Sequence, residues 1–414
     1  MKILLCSIGS RGDIQPFLVL GEHLAKHGHE VKVVSAQLYQ KLAAGFDVDF
    51  EFFKGDYGAL VDDAAMKKAV GSNPFMIRKA LHEKVYPIIE SSLHKFYELA
   101  LQADVVIYHP KTLIDSFGQD IHEKLIKAYV VPAFTPTKAF ANPLFAFLPI
   151  PSFLNKRSYQ VTNALINTMK APVKRFLKTH DLPKGPSFLT TPFLYGISEH
   201  FVKRPADYPE NHHFTGFWSA RSKKEAQIPQ NVELFLQKGK TLVITFGSMP
   251  YRSTTPIQAY IQAIESHFDL QILVVRAWGL RNATIAENER VMAIDEAPFD
   301  LLFAKADFLI HHGGAGTTTA ALLAGIAQFI CPILHPFGDQ LFWGKQTARH
   351  QIGVPPIPLK KLSTNKLVDR LNELIHGEYS TKAREMSKIL AREDGLSQAR
   401  NLIENHYNKY KKNR

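Results

Sequence analysis

One stretch of this chain constrains its fold more than any other. From Phe308 the sequence runs as an apolar strand, breaks at His311-His312-Gly313-Gly314-Ala315-Gly316, and resumes as small helix-forming residues opened by Thr317, Thr318 and Thr319. A strand that turns through glycines into a helix is one unit of a parallel sheet covered by helices on both faces. Glycine lets a ligand approach the backbone closely, and the first free N–H groups of a helix favour negative charge. The stretch therefore predicts an anion site built from Gly314, Ala315, Gly316, Thr317 and Thr318. About twenty residues on, after a second strand, comes Asp339-Gln340, two side chains suited to hydroxyls at the mouth of the same sheet. An anion cradle followed by a hydroxyl-reading pair suggests a nucleotide-sugar.

The rest of the chain repeats that unit. Short apolar runs at 2–8, 30–35, 48–53, 104–108, 128–133 and 193–197 alternate with helical periodicity at 16–27 and 77–99. Runs at 241–246, 270–275, 291–294, 307–310 and 328–331 continue the style. Pro16 suits a first helical turn and Gly28 a helix end. A chain of 414 residues exceeds one comfortable core. The fold class expected is α/β with two doubly wound, Rossmann-like domains. The divisions expected are an N-terminal domain over 1–217, a polar linker over 218–240, a C-terminal domain over 241–395 and a lysine-rich last segment over 396–414.

Composition narrows the class further. With 45% hydrophobic and 21% charged residues the chain reads as an ordinary soluble globular protein. No stretch approaches 18 uninterrupted apolar residues, so no membrane-spanning helix is expected. The start, MKILLCSIGSRGD, reads as a buried strand and not as a signal peptide. Cys6 and Cys331 sit in apolar strand patterns and read as buried free thiols, which fits a reducing cytoplasm. The net charge of +12 suits an anionic donor or an anionic lipid surface as well as plain solubility. No zinc-ligand spacing or stacking-aromatic repeat supports nucleic-acid binding. The segment 141–185 departs from clean alternation. Its apolar front Phe145-Ala146-Phe147-Leu148 precedes scattered cations, among them Lys156, Arg157, Lys170, Lys174, Arg175 and Lys178. It reads as a solvated helix face, as the wall of a greasy acceptor pocket, or as a peripheral contact with an anionic membrane.

Several ordered motifs carry a family resemblance. They are the stretch 308–343; Ile8-Gly9-Ser10-Arg11-Gly12-Asp13-Ile14-Gln15-Pro16-Phe17; Thr135-Pro136-Thr137-Lys138-Ala139-Phe140 with Pro143; and Arg204-Pro205 through Asp207 to Gly216-Phe217-Trp218. Together they resemble nucleotide-sugar-dependent glycosyltransferases of the GT-B fold. More narrowly, they resemble the sterol 3-β-glucosyltransferases and the bacterial antibiotic glycosyltransferases related to them. The resemblance implies two domains facing across a cleft, with a C-terminal helix crossing back to the first. It implies an inverting transfer of a hexose, expected to be glucose, from a UDP-sugar to a hydroxyl of a lipophilic acceptor. It implies no cofactor and no metal. Two alternatives stay open: a dTDP-sugar transferase acting on a polyketide, glycopeptide or glycolipid, and a non-catalytic nucleotide-sugar-binding regulator.

The site residues follow motif by motif. Transfer to a hydroxyl needs a base for the acceptor proton. Asp13 stands where many relatives carry a histidine, and it can equally cap the helix that follows. His109 ends the 104–108 strand, where histidine-using relatives carry an orienting aspartate, so it is either a swapped partner of Asp13 or a plain strand-end histidine. His312 matches the donor-phosphate histidine, with His311 packing the turn. Ser10, Arg11, Gly12, Gly247 and Ser248 are counted with the donor site. Asp339 and Gln340 match the sugar-reading pair, and Trp343 either floors the site or packs in the core. The base-binding loop departs from the family, since Glu296 stands two residues before Pro298 where an aromatic is usual. Trp278, Pro298 and Phe299 are the candidates there. Asp47-Val48-Asp49 copies a metal-binding pattern of another fold but lies in the acceptor half, so it reads as structural.

Overall fold

The computed structural model describes residues 1–55, 79, 81–117, 119–182, 191–219, 226–248 and 256–412. Among these residues two parallel sheets form. The first holds β1 (Lys2–Cys6), β2 (Glu30–Ala36), β3 (Asp49–Phe53), β4 (Val105–Tyr108), β5 (Leu125–Tyr129), β6 (Phe193–Tyr195) and β7 (His212–Phe214). The second holds β8 (Thr241–Thr245), β9 (Gln271–Val275), β10 (Val291–Ile294), β11 (Phe308–His311), β12 (Ala327–Ile330) and β13 (Gly353–Val354). The orders are β3-β2-β1-β4-β5-β6-β7 and β10-β9-β8-β11-β12-β13. Each sheet reverses its winding once, between β1 and β4 and between β8 and β11. Doubly wound sheets bind ligands at that switch, beyond the carboxyl ends of the strands. The central strands are apolar without alternation because both faces are covered: Leu5, Val33, Val106, Ile107, Leu242, Val243 and Val274 are fully buried.

Three elements lie elsewhere than the sequence suggests. The strand expected at 128–133 runs instead over Leu125–Tyr129. Lys127 disguised it, yet that side chain is buried, with its ammonium 5.4 Å from the Phe193 ring centre. Beyond it Pro132 has no N–H to give a ladder. The first helix begins at Arg11, not near Pro16, because Ser10 and Asp13 form a capping box that starts it earlier. Pro16 therefore sits inside the helix. The helix expected over 77–99 is found over Tyr86–Gln102 after a π turn at Leu81–Val85, and most of its expected start falls outside the described residues. The strands β7 and β13 carried no signal, being only three and two residues long.

The two sheets share an apolar seam. The Phe201 ring lies parallel to Trp343, with centroids 6.2 Å apart, and Phe140 meets Phe342 at 5.7 Å. The backbone N–H of Gly338 donates to the Leu144 carbonyl at 3.0 Å. Phe145 and Phe147 both pack edge-on against Phe337, so the apolar front of 141–148 abuts the loop that carries Asp339. The two chain crossings touch at Gly216 and Gly395, where a Cβ on Gly395 would stand 2.6 Å from the Gly216 carbonyl carbon. The helix Gly395–Lys412 then returns to the first domain: Ile403 and Ala399 join its core, and Glu404 meets His29 at 3.0 Å. The helix Gln230–Leu236 packs Val232 and Phe235 onto the second sheet.

Candidate active site

Asp13 sits at the carboxyl end of β1, in the first turn of the helix Arg11–Lys26. Its side chain is almost wholly buried and its two oxygens do different things. Oδ2 accepts from the backbone N–H of Ser10 at 2.7 Å and from the Ser10 hydroxyl at 2.9 Å. Oδ1 accepts from Lys111 Nζ at 3.0 Å and lies 3.2 Å from His109 Nε2. Gly9 makes this possible. At φ +139° it adopts a conformation that other residues rarely tolerate, and a Cβ there would stand 2.2 Å from Oδ2.

His109 ends β4 beside β1, fully buried. Its Nδ1 accepts from the Lys111 backbone N–H at 3.0 Å, so the ring proton of the neutral tautomer belongs on Nε2, facing Asp13. The Nε2 contact falls short of a well-aligned hydrogen bond, and among the described residues no other partner reaches that atom. Burial pushes the His109 pKa down to about 4, with Asp13 opposing, so the ring is neutral at pH 7. Burial works to raise the Asp13 pKa. The Lys111 charge outweighs it, together with the His109 contact, and holds the carboxyl well below the usual range. The structure thus joins Asp13 to His109 and shows Asp13 capping the helix as well. Lys111 carried no sequence signal, because a lysine after a strand reads as a solvated charge.

Across the seam, the carboxyl ends of β8 and β11 meet on His312. A Cβ on Gly314 would stand 2.4 Å from its Nε2, and one on Gly247 would stand 3.1 Å from its Cε1. Only glycines allow both loops to enclose the ring. His312 is buried, its Nδ1 has no partner among the described residues, and burial lowers its pKa to about 4. The helix Ala315–Ala324 starts here with Gly314 as its N-cap, and the buried Thr318 hydroxyl likewise has no partner. Two orphaned polar atoms beside free helix N–H groups fit an anionic group. Gly316 is exposed with open space around it. His311 stays in the turn, with Nε2 3.0 Å from Gln328 Oε1 and Nδ1 accepting from Gly313 N–H at 3.2 Å.

Asp339 and Gln340 open the helix Gln340–Arg349. Gln340 Oε1 accepts from the backbone N–H groups of Ile333 and Leu334, both at 2.8 Å, which fixes the preceding loop. Asp339 Oδ2 accepts from Trp343 Nε1 at 2.7 Å. Trp343 is therefore buried in the seam, where it holds Asp339; it is no open floor for a sugar. Burial raises the Asp339 pKa against that hydrogen bond, and the charges of Asp13 and Lys111 both reach it across the cleft. Tyr129 stands between the two carboxylates: burial, then Asp13, then Asp339 raise its pKa.

The remaining candidates divide. Ser10, Arg11 and Gly12 are exposed at the mouth, with Arg11 Nε bonded to Gln15 at 2.9 Å. Gly279 N–H donates to the Gly247 carbonyl at 2.8 Å, which ties the Trp278 loop to the Gly247-Ser248 loop. Trp278 is 48% exposed with Arg281 over its ring at 4.6 Å. Phe299 follows Pro298 and stacks on Phe303 at 4.7 Å, so one of its faces is already used. The 135–140 and 204–218 motifs brace each other behind the cleft. Thr137 Oγ1 donates to Asp207 at 2.5 Å and Lys138 N–H to the same carboxylate at 2.9 Å. Asp49 pairs with Lys32 at 3.2 Å on the outer strand β3, far from either switch point.

Residues 3–140 match the glycosyltransferase family 28 N-terminal domain, and residues 262–399 match the erythromycin biosynthesis protein CIII-like C-terminal domain. Sterol 3-beta-glucosyltransferase UGT80B1 of Arabidopsis thaliana is 28% identical over 98% of this chain and 68% of its own length. Sterol 3-beta-glucosyltransferase of Saccharomyces cerevisiae is 29% identical over 98% of this chain but only 35% of its own length. Among solved structures, the glycotransferase of kitacinnamycin superposes with TM-score 0.70 at 15% identity, covering 98% of both chains. Glycosyltransferase VinC, in complex with DTDP, superposes with TM-score 0.64 at 14% identity, covering 99% of this chain and 100% of its own. At such identities the structures speak for the fold alone. With sequence relatives, domain matches and architecture in agreement, the chain is a glycosyltransferase of the GT-B fold that resembles the sterol 3-beta-glucosyltransferases.

Proposed function

We propose that the protein moves glucose from UDP-glucose to the hydroxyl of a lipophilic acceptor, a sterol or a compound of similar shape, in one displacement with inversion and without a metal. One observation carries this reading. The carboxylate of Asp13, at the switch point of one sheet, lies within electrostatic reach of Asp339 on the second domain, whose own switch point carries the orphaned His312 and Thr318 atoms. The Asp13 carboxylate suits a proton from an attacking hydroxyl, and the orphaned atoms suit the charge on a departing diphosphate. His312 and the helix N-terminus supply that stabilisation without an ion. Asp339 and the Gln340 amide N–H₂ read the sugar hydroxyls between them, and the exposed Trp278 face takes the base.

The names of the plant and yeast relatives favour a sterol and glucose. The DTDP bound to VinC supports the second reading, a dTDP-sugar donor. Turnover of UDP-glucose and dTDP-glucose in chelator, each against a panel of sterols, triterpenoids and phenols, separates them. Transfer from UDP-glucose to a sterol is the expected result. Transfer only from dTDP-glucose, or only with added magnesium or manganese, overturns it.

The same reading places the acceptor entrance at an anionic membrane surface. Among the described residues no helix is long and apolar enough to cross a membrane. Leu148, Phe153, Leu334 and Phe337 are nonetheless 44%, 81%, 40% and 61% exposed, with Lys156 and Arg157 following Phe153 in the chain. Apolar side chains with cations suit peripheral contact. Sedimentation with anionic vesicles, lost in Phe153→Ser/Phe337→Ser, tests this; equal sedimentation of both proteins excludes it.

A further inference from the structure

The carboxylate of Asp13 is surrounded by donors. It has roughly four lone-pair sites. Ser10 N–H and Oγ–H occupy Oδ2, while Oδ1 accepts from Lys111 Nζ and lies near the ring nitrogen Nε2 of His109. An acceptor hydroxyl that donates to Oδ1 competes with Lys111 for it. The Ser10 N–H is main chain in the first turn of a helix, and His109 is fully buried between Tyr129 and Phe134, 4.3 and 6.3 Å from its ring. The exposed Ser10 hydroxyl serves Oδ2; of the two side chains at Oδ1, Lys111 is open to the cleft, at 42% exposure against 0% for His109. Its charge is carried on a flexible four-carbon arm.

We propose that Lys111 is a displaceable latch on Asp13: its ammonium covers Oδ1 while the acceptor is absent and yields to the acceptor hydroxyl. The proposal rests on the reading of Asp13 as the base. Lys111 is then a positioning residue, and its benefit is selectivity against water. With a free Oδ1, a water oxygen can bond to the anomeric carbon as the sugar–phosphate C–O bond breaks. The bonding pair leaves with UDP and the water proton passes to Asp13, so the donor is hydrolysed to glucose and UDP. A covered carboxylate does not assist that step. The Lys111 end of the pair is partly solvated, so water can take up the ammonium when it leaves Oδ1, and the acceptor hydroxyl replaces it as donor to the carboxylate.

The test compares wild type with Lys111→Met, Lys111→Gln and Lys111→Arg. One measurement is release of glucose from UDP-glucose without acceptor, set against transfer with acceptor. The other is titration of the Asp13 carboxyl by ¹³C NMR, assigned with Asp13→Asn. In Lys111→Met and Lys111→Gln the ratio of hydrolysis to transfer is expected to rise about tenfold or more. The Asp13 carboxyl, and with it the acid limb of kcat/KM, is expected to move up to about 4 or above, the ordinary aspartate value being about 3.9. Lys111→Arg keeps the charge and is expected to keep both wild-type behaviours. Unchanged hydrolysis, or an unchanged Asp13 titration, in both neutral variants overturns the latch. If wild type neither transfers nor hydrolyses UDP-glucose, the proposed function fails instead, and the carboxyl titration still decides whether Lys111 covers Asp13.

Discussion

The two faces of the cleft are finished in opposite ways. On the first domain the reactive carboxylate is surrounded by donors from Ser10, Lys111 and His109. On the second domain His312 Nδ1 and Thr318 Oγ1 are buried with no partner among the described residues. The same topology produces both, a parallel sheet with ligand loops at its switch point. The difference lies in what each loop puts there. Gly9 draws the helix start onto its own third residue, so the first face satisfies itself. Gly247 and Gly314 hold two loops against the His312 ring and leave its outer edge unmatched. A self-satisfied group must be uncovered to act. An unsatisfied one invites an external anion. On the proposed function, that contrast fits chemistry at the first face and donor binding at the second.

The sharpest way to break the contrast is Asp13→Asn. The amide oxygen can still accept from Ser10, and Asn caps nearly as well as Asp. Basicity is lost, and with it the ion pair to Lys111. Transfer is expected to fall by about 10²–10⁴-fold with UDP affinity and melting temperature near wild type. Near-normal transfer would make Asp13 a cap alone. His312→Ala comes next, with an expected loss of about 10²–10³-fold in kcat, since a donor to the leaving group is removed. Unaltered kinetics in a folded protein would move the phosphate site.

His312 also gives a pH signature. Its pKa in the free protein is about 4, and a bound diphosphate would raise it. Binding then takes up a proton between those two values. Affinity for UDP-glucose is expected to rise as pH falls from the bound-state value towards 4, and the slope should vanish in His312→Ala. Calorimetry from pH 8 to pH 5 checks this; a slope that survives the substitution assigns it to another group.

Asp339→Ala is expected to lower turnover of UDP-glucose by about 10- to 100-fold while UDP affinity changes little, because UDP has no hexose hydroxyls. It also strips the Trp343 N–H of its partner, so a stability loss of about 1–3 kcal/mol should appear in denaturation. Equal loss of both affinities would leave Asp339 a purely structural role. Trp278→Ala carries the smallest effect, about fivefold to tenfold in UDP affinity from lost stacking. No change would shift the base to Phe299.

Much of this was legible because glycines and strand ends report backbone demands directly. The strand–glycine–helix order around Gly314 and the glycine loop before Asp13 locate both ligand loops from sequence, whereas the Ser10–Asp13 capping box was missed. What stayed hidden depends on packing between distant segments. Lys111 reads as solvent-facing because nothing in a sequence says that β1 and β4 bring it to Asp13. The buried Lys127 concealed β5 for the converse reason, a charge in an apolar interior. Trp343 showed two readings because only the seam with Phe201 reveals which side of it is covered.

The most direct test of two faces acting on one bond is the anomeric configuration of the product. UDP-glucose carries an α linkage, and a single displacement by a hydroxyl held at Asp13 inverts it. The protein with UDP-glucose, a sterol acceptor and chelator is expected to give the β-glucoside, read from the anomeric proton coupling by NMR. An α-glucoside would contradict the account, because retention requires a second displacement, and the proposed mechanism gives Asp13 only the role of base.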